Sequence, residues 1–544
     1  MTESSFSSST PKESAITPLR LYDIKIGKSV MFNDIEGAET GKVSYSTVSH
    51  VWGPQETSRL PGMGWALGMG AGPVYRKQGR LAAVCQVYPA RYLWWDAYCV
   101  DQDNDDEASM ETHRSASYFR ESKRTFALLN DVGYRLLPQL NTLEHQTMWA
   151  TLVRAGRNQD ASTLMGLVPQ DLWFEDQLDG YPVGIAAGPL TQAGNLMDMI
   201  KLVRDICLDP WFNRVWLIQE MKVATDVILI GAENSTLPLE EFMLGLKGIY
   251  ILSSRVHLQL GLGGMSLEMR GIWALYETVL PTTIGQALRF ASTRACTRFQ
   301  DRLFATRSLL NNLHAIKVEY TSGSFEKQLL EYFLATGDAS FMLFQGRAAP
   351  GASHLPDPRD LDFVRSRLWS EPVIGERILD ENGLKCTFQL YARVVNSIPV
   401  RKIIVSTGLE RLAKILQPMT EGNKADFANA LQVLQAEIVT DANGKRAKGL
   451  TARTLNAHLC KIIEPQNGNG QYILLHPNLP GYKVSPSSVF FCVGPPGLTD
   501  EDTLLILEPF EGPDGVHRFR RIGLAFAFQD MPLVTSGQIT GYLG

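Results

Sequence analysis

The chain has little that would tie it to a disulfide framework, a metal ribbon, a nucleic acid or a membrane. Its seven cysteines are an odd number scattered over 544 residues, with no Cys-x-x-Cys pair. That spacing speaks against a disulfide scaffold and a zinc ribbon and suits reduced thiols inside a cell. Charge of one sign is also scarce: the formal net charge is −5, no Lys/Arg run exceeds three residues, and the densest basic stretch is only His517-Arg518-Phe519-Arg520-Arg521. An electrostatic footprint for nucleic acid or an anionic membrane surface is therefore lacking. No stretch approaches twenty apolar residues, so no membrane span is expected. The first twenty residues are rich in Ser, Thr and Pro without an apolar signal segment. They read as a disordered tail, 1–20, on a cytoplasmic or nuclear protein.

What is present is ordinary core-forming material, 44% hydrophobic and 20% charged. The length exceeds what one hydrophobic core usually serves and predicts two or three domains. From Val43 to Val51 a buried strand runs into a loop at Trp52-Gly53-Pro54. Leu81, Val84, Cys85 and Tyr88 fall at helical spacing, Tyr92 to Tyr98 is an aromatic strand candidate, and a helix is expected over about 107–123 before strand character returns at Thr125 to Leu129. Residues about 138–192 lose this regularity and read as an insertion of short helical patches. Leu196, Met199, Ile200, Val203 and Cys207 then form one helical stripe, Asp209-Pro210 starts another helix, and Val227 to Ile230 is a buried strand. Strands and helices alternating from about 41 to 235 predict an α/β domain with a mainly parallel sheet and flanking helices. A helical region, 236–345, and a mixed to β-rich C-terminal region, 346–544, with a helix over 427–438, complete the expectation. No internal repeat is found.

Three segments set polar groups among aromatic and branched residues, where an unpaired carboxylate or amide is costly if buried. In the helix from Pro210, the spacing places Phe212, Trp216, Gln219, Glu220 and Val223 on one face. A partly desolvated Glu220 beside Trp216 could serve as a general acid or base or hold a ligand hydroxyl; equally, it could be a structural carboxylate paired with Arg214 or another cation. Asp96, after Leu93-Trp94-Trp95, either faces the crevice at the carboxyl ends of parallel strands or caps a helix. His50 and Cys99 both follow apolar strands, which admits a thiol nucleophile with a histidine partner, although a buried inert cysteine is the commoner outcome. His50, Asp96, Cys99 and Asp101 lack a recurrent ligand spacing, so no metal site is expected. The glycines at 62, 64, 68, 70 and 72 match neither nucleotide-loop register and read as a surface loop.

Taken together, Tyr45 to Gly53, Leu93 to Gln102 and Arg214 to Glu220 resemble, in order, three blocks of the fungal heterokaryon incompatibility (HET) domain. In that family they read Tyr-x-x-Leu-Ser-Tyr-x-Trp-Gly, Leu-Trp-x-Asp-x-x-Cys-Ile-x-Gln and Arg-x-Trp-x-x-Gln-Glu. Val48 and His50 depart from the first block. In the helix after Asp106, Tyr118-Phe119-Arg120-Glu121-Ser122 stands where the family has different wording. Asp301 to Ala305, Ile316 to Tyr320 and Arg520 to Leu524 resemble regions that follow the domain in such proteins.

The resemblance implies a role in regulated cell death after non-self recognition, exerted through protein partners or self-assembly, with no cofactor required. It also implies remote TIR-like, flavodoxin-like character. In TIR domains that cleave NAD, a Trp-x-x-x-Glu helix supplies the catalytic carboxylate, a spacing matched by Trp216 and Glu220. The alternative implied function is thus an NAD glycohydrolase using Glu220, with Ser49, Trp52, Gly53, Asp96, Asp101, Gln102, Arg214, Trp216 and Gln219 around the crevice. A Cys99/His50 hydrolase is the remote third reading.

Overall fold

The computed structural model describes residues 16–40, 43–51, 73–164, 167, 190–255, 267–277, 283–307, 309–310, 324–338, 340–342, 344, 346–349, 352–359, 361, 377–380, 383–399, 414, 416–417, 430, 458–463, 470–477, 489–492, 503–512, 514–526 and 537–543. The glycine-rich stretch 61–73 falls almost wholly outside them, as does the helix expected over 427–438 apart from Ala430. The chain divides into two units, Met1–Leu280 with Arg294–Cys296, and Pro281–Thr293 with Thr297–Gly544.

The first unit runs β1 (Arg20–Asp23), β2 (Lys28–Met31), β3 (Tyr45–His50), α1 (Pro73–Val87), β4 (Tyr92–Trp94), α2 (Asp96–Cys99), α3 (Asp105–Glu121) and β5 (Thr125–Leu128). It continues with α4 (Asp131–Leu136), α5 (Leu143–Asn158), α6 (Leu190–Cys207), α7 (Pro210–Asn213), α8 (Leu217–Val223), β6 (Val227–Ile230), β7 (Thr236–Pro238), α9 (Leu239–Arg255) and α10 (Leu267–Glu277). Its seven strands form one sheet in the order β2-β1-β4-β3-β5-β6-β7. The centre is parallel, β4 with β3, β3 with β5 and β5 with β6. Antiparallel strands finish both edges. Counted along the chain, the parallel strands lie in the order 2-1-3-4, a doubly wound α/β arrangement.

Every residue of β3, β5 and β6 is buried, which is why these strands read as continuous runs rather than as alternation: helices cover both faces. Hydroxyls inside the sheet find partners across it, Thr47 Oγ1 lying 2.7 Å from Thr125 Oγ1 and 3.2 Å from Ser122 Oγ. The expected aromatic strand Tyr92 to Tyr98 is shorter than its sequence suggests. Pairing to β3 stops at Trp94, and the Cys99 and Val100 amides turn back to the Trp95 and Asp96 carbonyls at 2.8 and 3.0 Å. The helix α3 starts at Asp105 because the Asn104 side chain accepts the Glu107 amide, with Asp105, Asp106 and Glu107 at the positive end of the dipole.

Two further expectations are modified. Within 138–192, the stretch Leu143–Asn158 is one continuous helix of 16 residues, packed on α9 through Trp149, Leu152 and the glycines of both helices. The tail expected over 1–20 is tied down before residue 20, since the Phe32 amide donates to the Leu19 carbonyl at 3.0 Å. Residues 1–15 lie outside the described residues.

The second unit contains α11 (Ile284–Ser292), α12 (Asp301–Arg307), α13 (Ser324–Thr336) and a short pair, β8 (Ala348–Ala349) with β9 (Ala352–Pro356). Its larger sheet comprises β10 (Arg377–Asp380), β11 (Gly383–Pro399), β12 (His458–Ile463), β13 (Gly470–Pro477), β14 (Val489–Cys492), β15 (Thr503–Glu511), β16 (His517–Phe526) and β17 (Gly537–Leu543). Because β11 pairs with both β12 and β14, the path β11-β12-β13-β16-β15-β14 closes on itself. Closure leaves fewer open edges. Among the described residues no helix is long and apolar enough to cross a membrane.

Candidate functional site

Ser49 and His50 end β3, next to the point where the chain leaves β3 toward β4 and leaves β5 toward β6 on the other side. In open α/β sheets this reversal opens a crevice beyond the carboxyl ends of the strands. The Ser49 hydroxyl is fully used there. Its oxygen accepts from Trp211 Nε1 at 2.6 Å and from Arg214 Nη2 at 2.9 Å, and its proton goes to Glu220 Oε2 at 2.6 Å. A hydroxyl offers one donor and two lone pairs, so the direction of the Ser49–Glu220 bond is fixed by the two donors already in place.

Arg214 binds the same group as a fork. Its Nη2 reaches Glu220 Oε1 and Oε2 at 3.0 and 2.8 Å, and its Nη1 donates to the His50 carbonyl at 2.5 Å. Glu220 is only 4% exposed. This is a buried, hydrogen-bonded ion pair that ties the end of β3 to α8.

The local sequence explains how Arg214 can reach. Instead of the single helix expected from Pro210, the chain forms α7, one extended residue at Arg214 (φ −72°, ψ 144°), and α8 beginning after Trp216. The break moves Phe212 off the face that carries Gln219 and Glu220. Phe212 instead stacks on Phe242 at 5.4 Å and meets Trp211 edge-on at 5.0 Å. Buried Asp209 caps α7, accepting the Trp211 amide and the Asn130 amide, both at 2.9 Å. A Cβ at Gly133 would lie 2.6 Å from Asp209 Oδ2, so the glycine is what admits this carboxylate.

The other expected residues sort themselves around this cluster. His50 Nε2 lies 2.9 Å from Asp96 Oδ1, and the ring meets Trp95 edge-on at 5.5 Å. Asp96 also accepts the Ala97 amide at 2.8 Å, combining a helix-start role with the histidine contact. Gln219, 3% exposed, accepts from Ser115 of α3 at 3.2 Å, and half-buried Trp216 heads α8. Asp101 and Gln102 belong to the turn before α3, where Asp101 accepts the Asp103 amide at 3.0 Å and donates its own amide to Glu107 at 2.8 Å. Trp52 and Gly53 lie outside the described residues. Cys99 is sealed: its thiol sits 3.6 Å from the Leu93 carbonyl, and burial pushes its pKa up to about 12. A thiol so placed is packing, not a nucleophile. Among the described residues no group of three or more His, Cys, Asp or Glu could hold a metal ion.

Sequence reasoning missed Trp211, Ser115, Lys222 and Arg294, and read Asp209 only as the cap that starts the Pro210 helix. Trp211 and Asp209 flank the Pro210 helix start, which was itself a usable signal. Lys222 Nζ donates to the Tyr276 carbonyl at 2.8 Å, and burial lowers its pKa to about 8; nothing in the sequence announces that burial.

Glu111 was also unforeseen. Fully buried in α3, it accepts from Tyr118 Oη at 3.0 Å, and burial raises its pKa above the ordinary carboxylate value. A raised folded-state value means that the folded protein holds the proton more tightly than the unfolded chain. Its stabilising share is therefore full below the unfolded value of about 4.3 and is lost as pH rises through the folded one. Glu111→Gln should raise stability at pH 7 and leave it nearly unchanged at pH 4. Urea titrations at the two pH values test this, and an equal effect at both would refute it.

No curated protein and no solved structure matches the chain. Residues 45–220, from the first residue of β3 to the clamped carboxylate itself, match the family model described as heterokaryon incompatibility protein (HET), so this segment of the chain carries a HET domain.

Proposed function

We propose that this HET domain acts as an assembly module in a regulated cell-death response to non-self, engaging protein partners or further copies of the chain in the cytoplasm or nucleus. The observation that carries this reading is the occupancy of Glu220. Its carboxylate is held across both oxygens by Arg214 Nη2 and accepts a further bond from Ser49, and it is 4% exposed. A carboxylate that is to grip ribose hydroxyls or stabilise an oxocarbenium-like state needs free lone pairs and an approach. Here both oxygens already have partners and the group is almost wholly buried, which supports Glu220 as a tie between β3 and α8.

The alternative is a TIR-like NAD glycohydrolase in which NAD is the substrate and Glu220 the catalytic carboxylate. One observation favours it: α8 keeps Glu220 one turn after Trp216, its amide 3.3 Å from the Trp216 carbonyl, beside the carboxyl end of β3. The two readings separate when the full chain is incubated with NAD, both free and crosslinked into clusters, and the same chain is expressed in a filamentous fungus and scored for growth arrest. Arrest without nicotinamide release is expected. Release by the clustered protein that a folded Glu220→Gln variant abolishes would replace the assembly reading with the enzymatic one.

A further inference from the structure

The backbone groups freed by the break between α7 and α8 are taken up by a strap, Arg294–Cys296. The strap belongs to the first unit, although the chain on either side of it, Pro281–Thr293 and Thr297 onward, belongs to the second. Arg294 Nη1 donates to the Phe212 carbonyl at 2.5 Å and Nη2 to the Gly271 carbonyl at 3.3 Å. The Ala295 amide donates to the Asn213 carbonyl at 2.8 Å, and the Val215 amide to the Ala295 carbonyl at 2.9 Å, which brackets Arg214 in a parallel bridge.

In an uninterrupted helix each amide pairs four residues back. Phe212 would then accept from Trp216, Asn213 from Leu217, and Val215 would donate to Trp211. The strap thus occupies three backbone groups that a continuous helix over 210–223 would use, and that continuous helix is the form the local sequence favours.

We propose that Arg294–Cys296 is a latch that holds residues 210–223 in their broken form, and that its release closes them into one helix and withdraws Arg214 from Glu220. Helical neighbours are three or four residues apart. Residues 214 and 220 are six apart and would lie on different faces, whereas Trp216 would stay beside Glu220. The latched form therefore has the carboxylate clamped, and the released form has it free. This switch goes beyond the assembly reading and holds whichever activity the domain carries.

The latch is built to be reversible. Arg294 is only 7% exposed, yet no carboxylate among the described residues lies within ion-pair distance of it, and its Nε has no partner there. Burial accordingly pulls its pKa down to about 10. Such a guanidinium regains hydration when it leaves, which offsets the hydrogen bonds given up. Closing the helix needs chiefly a change of ψ at Arg214 from 144° to about −40°, since Trp216 already has helical angles (φ −64°, ψ −24°).

Amide exchange of the full chain, compared with Ala295→Pro and Arg294→Ala, tests the latch. Release should slow exchange over 214–217 by about tenfold, because new helical hydrogen bonds form there, while residues 294–296 exchange faster. Carbodiimide labelling of Glu220 should rise by about the same factor. Asn213→Ala, an exposed change toward higher helix propensity, keeps the strap intact and should give the same pattern in milder form should the strap variants fail to fold. Faster or unchanged exchange over 214–217 in a folded variant would overturn the latch and leave the strap a plain brace. So would slower exchange there in Asn213→Ala without faster exchange at 294–296.

Discussion

Alanine in place of Arg214 is expected to cost the first unit about 3–5 kcal/mol, the range for stranding one partner of a buried ion pair. Glu220 is 5% and Arg214 17% exposed at the side chain, so the abandoned carboxylate cannot be rescued by water without opening α8. The loss reaches further than one pair, because Ser49 and the His50 carbonyl each lose a donor. Arg214→Lys should recover only part of it, since a single ammonium cannot hold Glu220, Ser49 and the His50 carbonyl as the guanidinium fork does. The decisive measurement is a urea-denaturation cycle over Arg214→Ala, Glu220→Ala and the double variant. The double variant should be less damaged than the sum of the singles by about 0.5–3 kcal/mol. Strict additivity would mean that the pair contributes nothing as a unit.

Gly248→Ala should destabilise by about 1–3 kcal/mol or more, with Gly156→Ala comparable, through overpacking where α5 crosses α9. A Cβ at Gly248 would fall on the Leu152 carbonyl and one at Gly156 on the Leu244 carbonyl. Backbone cannot rotate aside as a side chain would, so the helices must part. At Gly245 the neighbour is instead a side chain, the Trp149 ring. Gly271 in α10 is the control: a Cβ there meets nothing within 4 Å, and Gly271→Ala should gain about 0.5–1 kcal/mol from reduced backbone entropy. Thermal melts of the three variants would test the pattern. If Gly248→Ala matched Gly271→Ala in sign, close helix approach would not be what selects these glycines.

The parallel core was legible because β3, β5 and β6 are buried on both faces, and burial on both faces writes itself as an unbroken apolar run. The cluster of Ser49, Arg214 and Glu220 was legible in part, as polar residues in aromatic surroundings that had to find partners. That Glu220 would take Arg214 was one of two readings the sequence allowed. Local sequence misplaced the geometry that makes the pairing, however, since Pro210 to Val223 has the periodicity of one helix and is two. The partner that breaks it lies eighty residues away in the strap at Ala295, and nothing local encodes so distant a contact. Residues 138–192 misled in the opposite direction: α5 was read as short helical patches, and what packs it is a close approach to glycines of α9 nearly a hundred residues downstream.

By itself, then, the sequence determined which strands are central, where Asp209-Pro210 starts a helix, and which polar side chains must be compensated, because periodicity, capping and the cost of burying charge are local or compositional. Only the tertiary structure decided that Ser49 donates to Glu220, that Cys99 is inert, that Asp101 serves a turn, and that Arg214 sits in an extended break held by Arg294 and Ala295. Those outcomes depend on which distant donors and acceptors the packed elements bring within hydrogen-bond reach, and no local stretch of sequence encodes that.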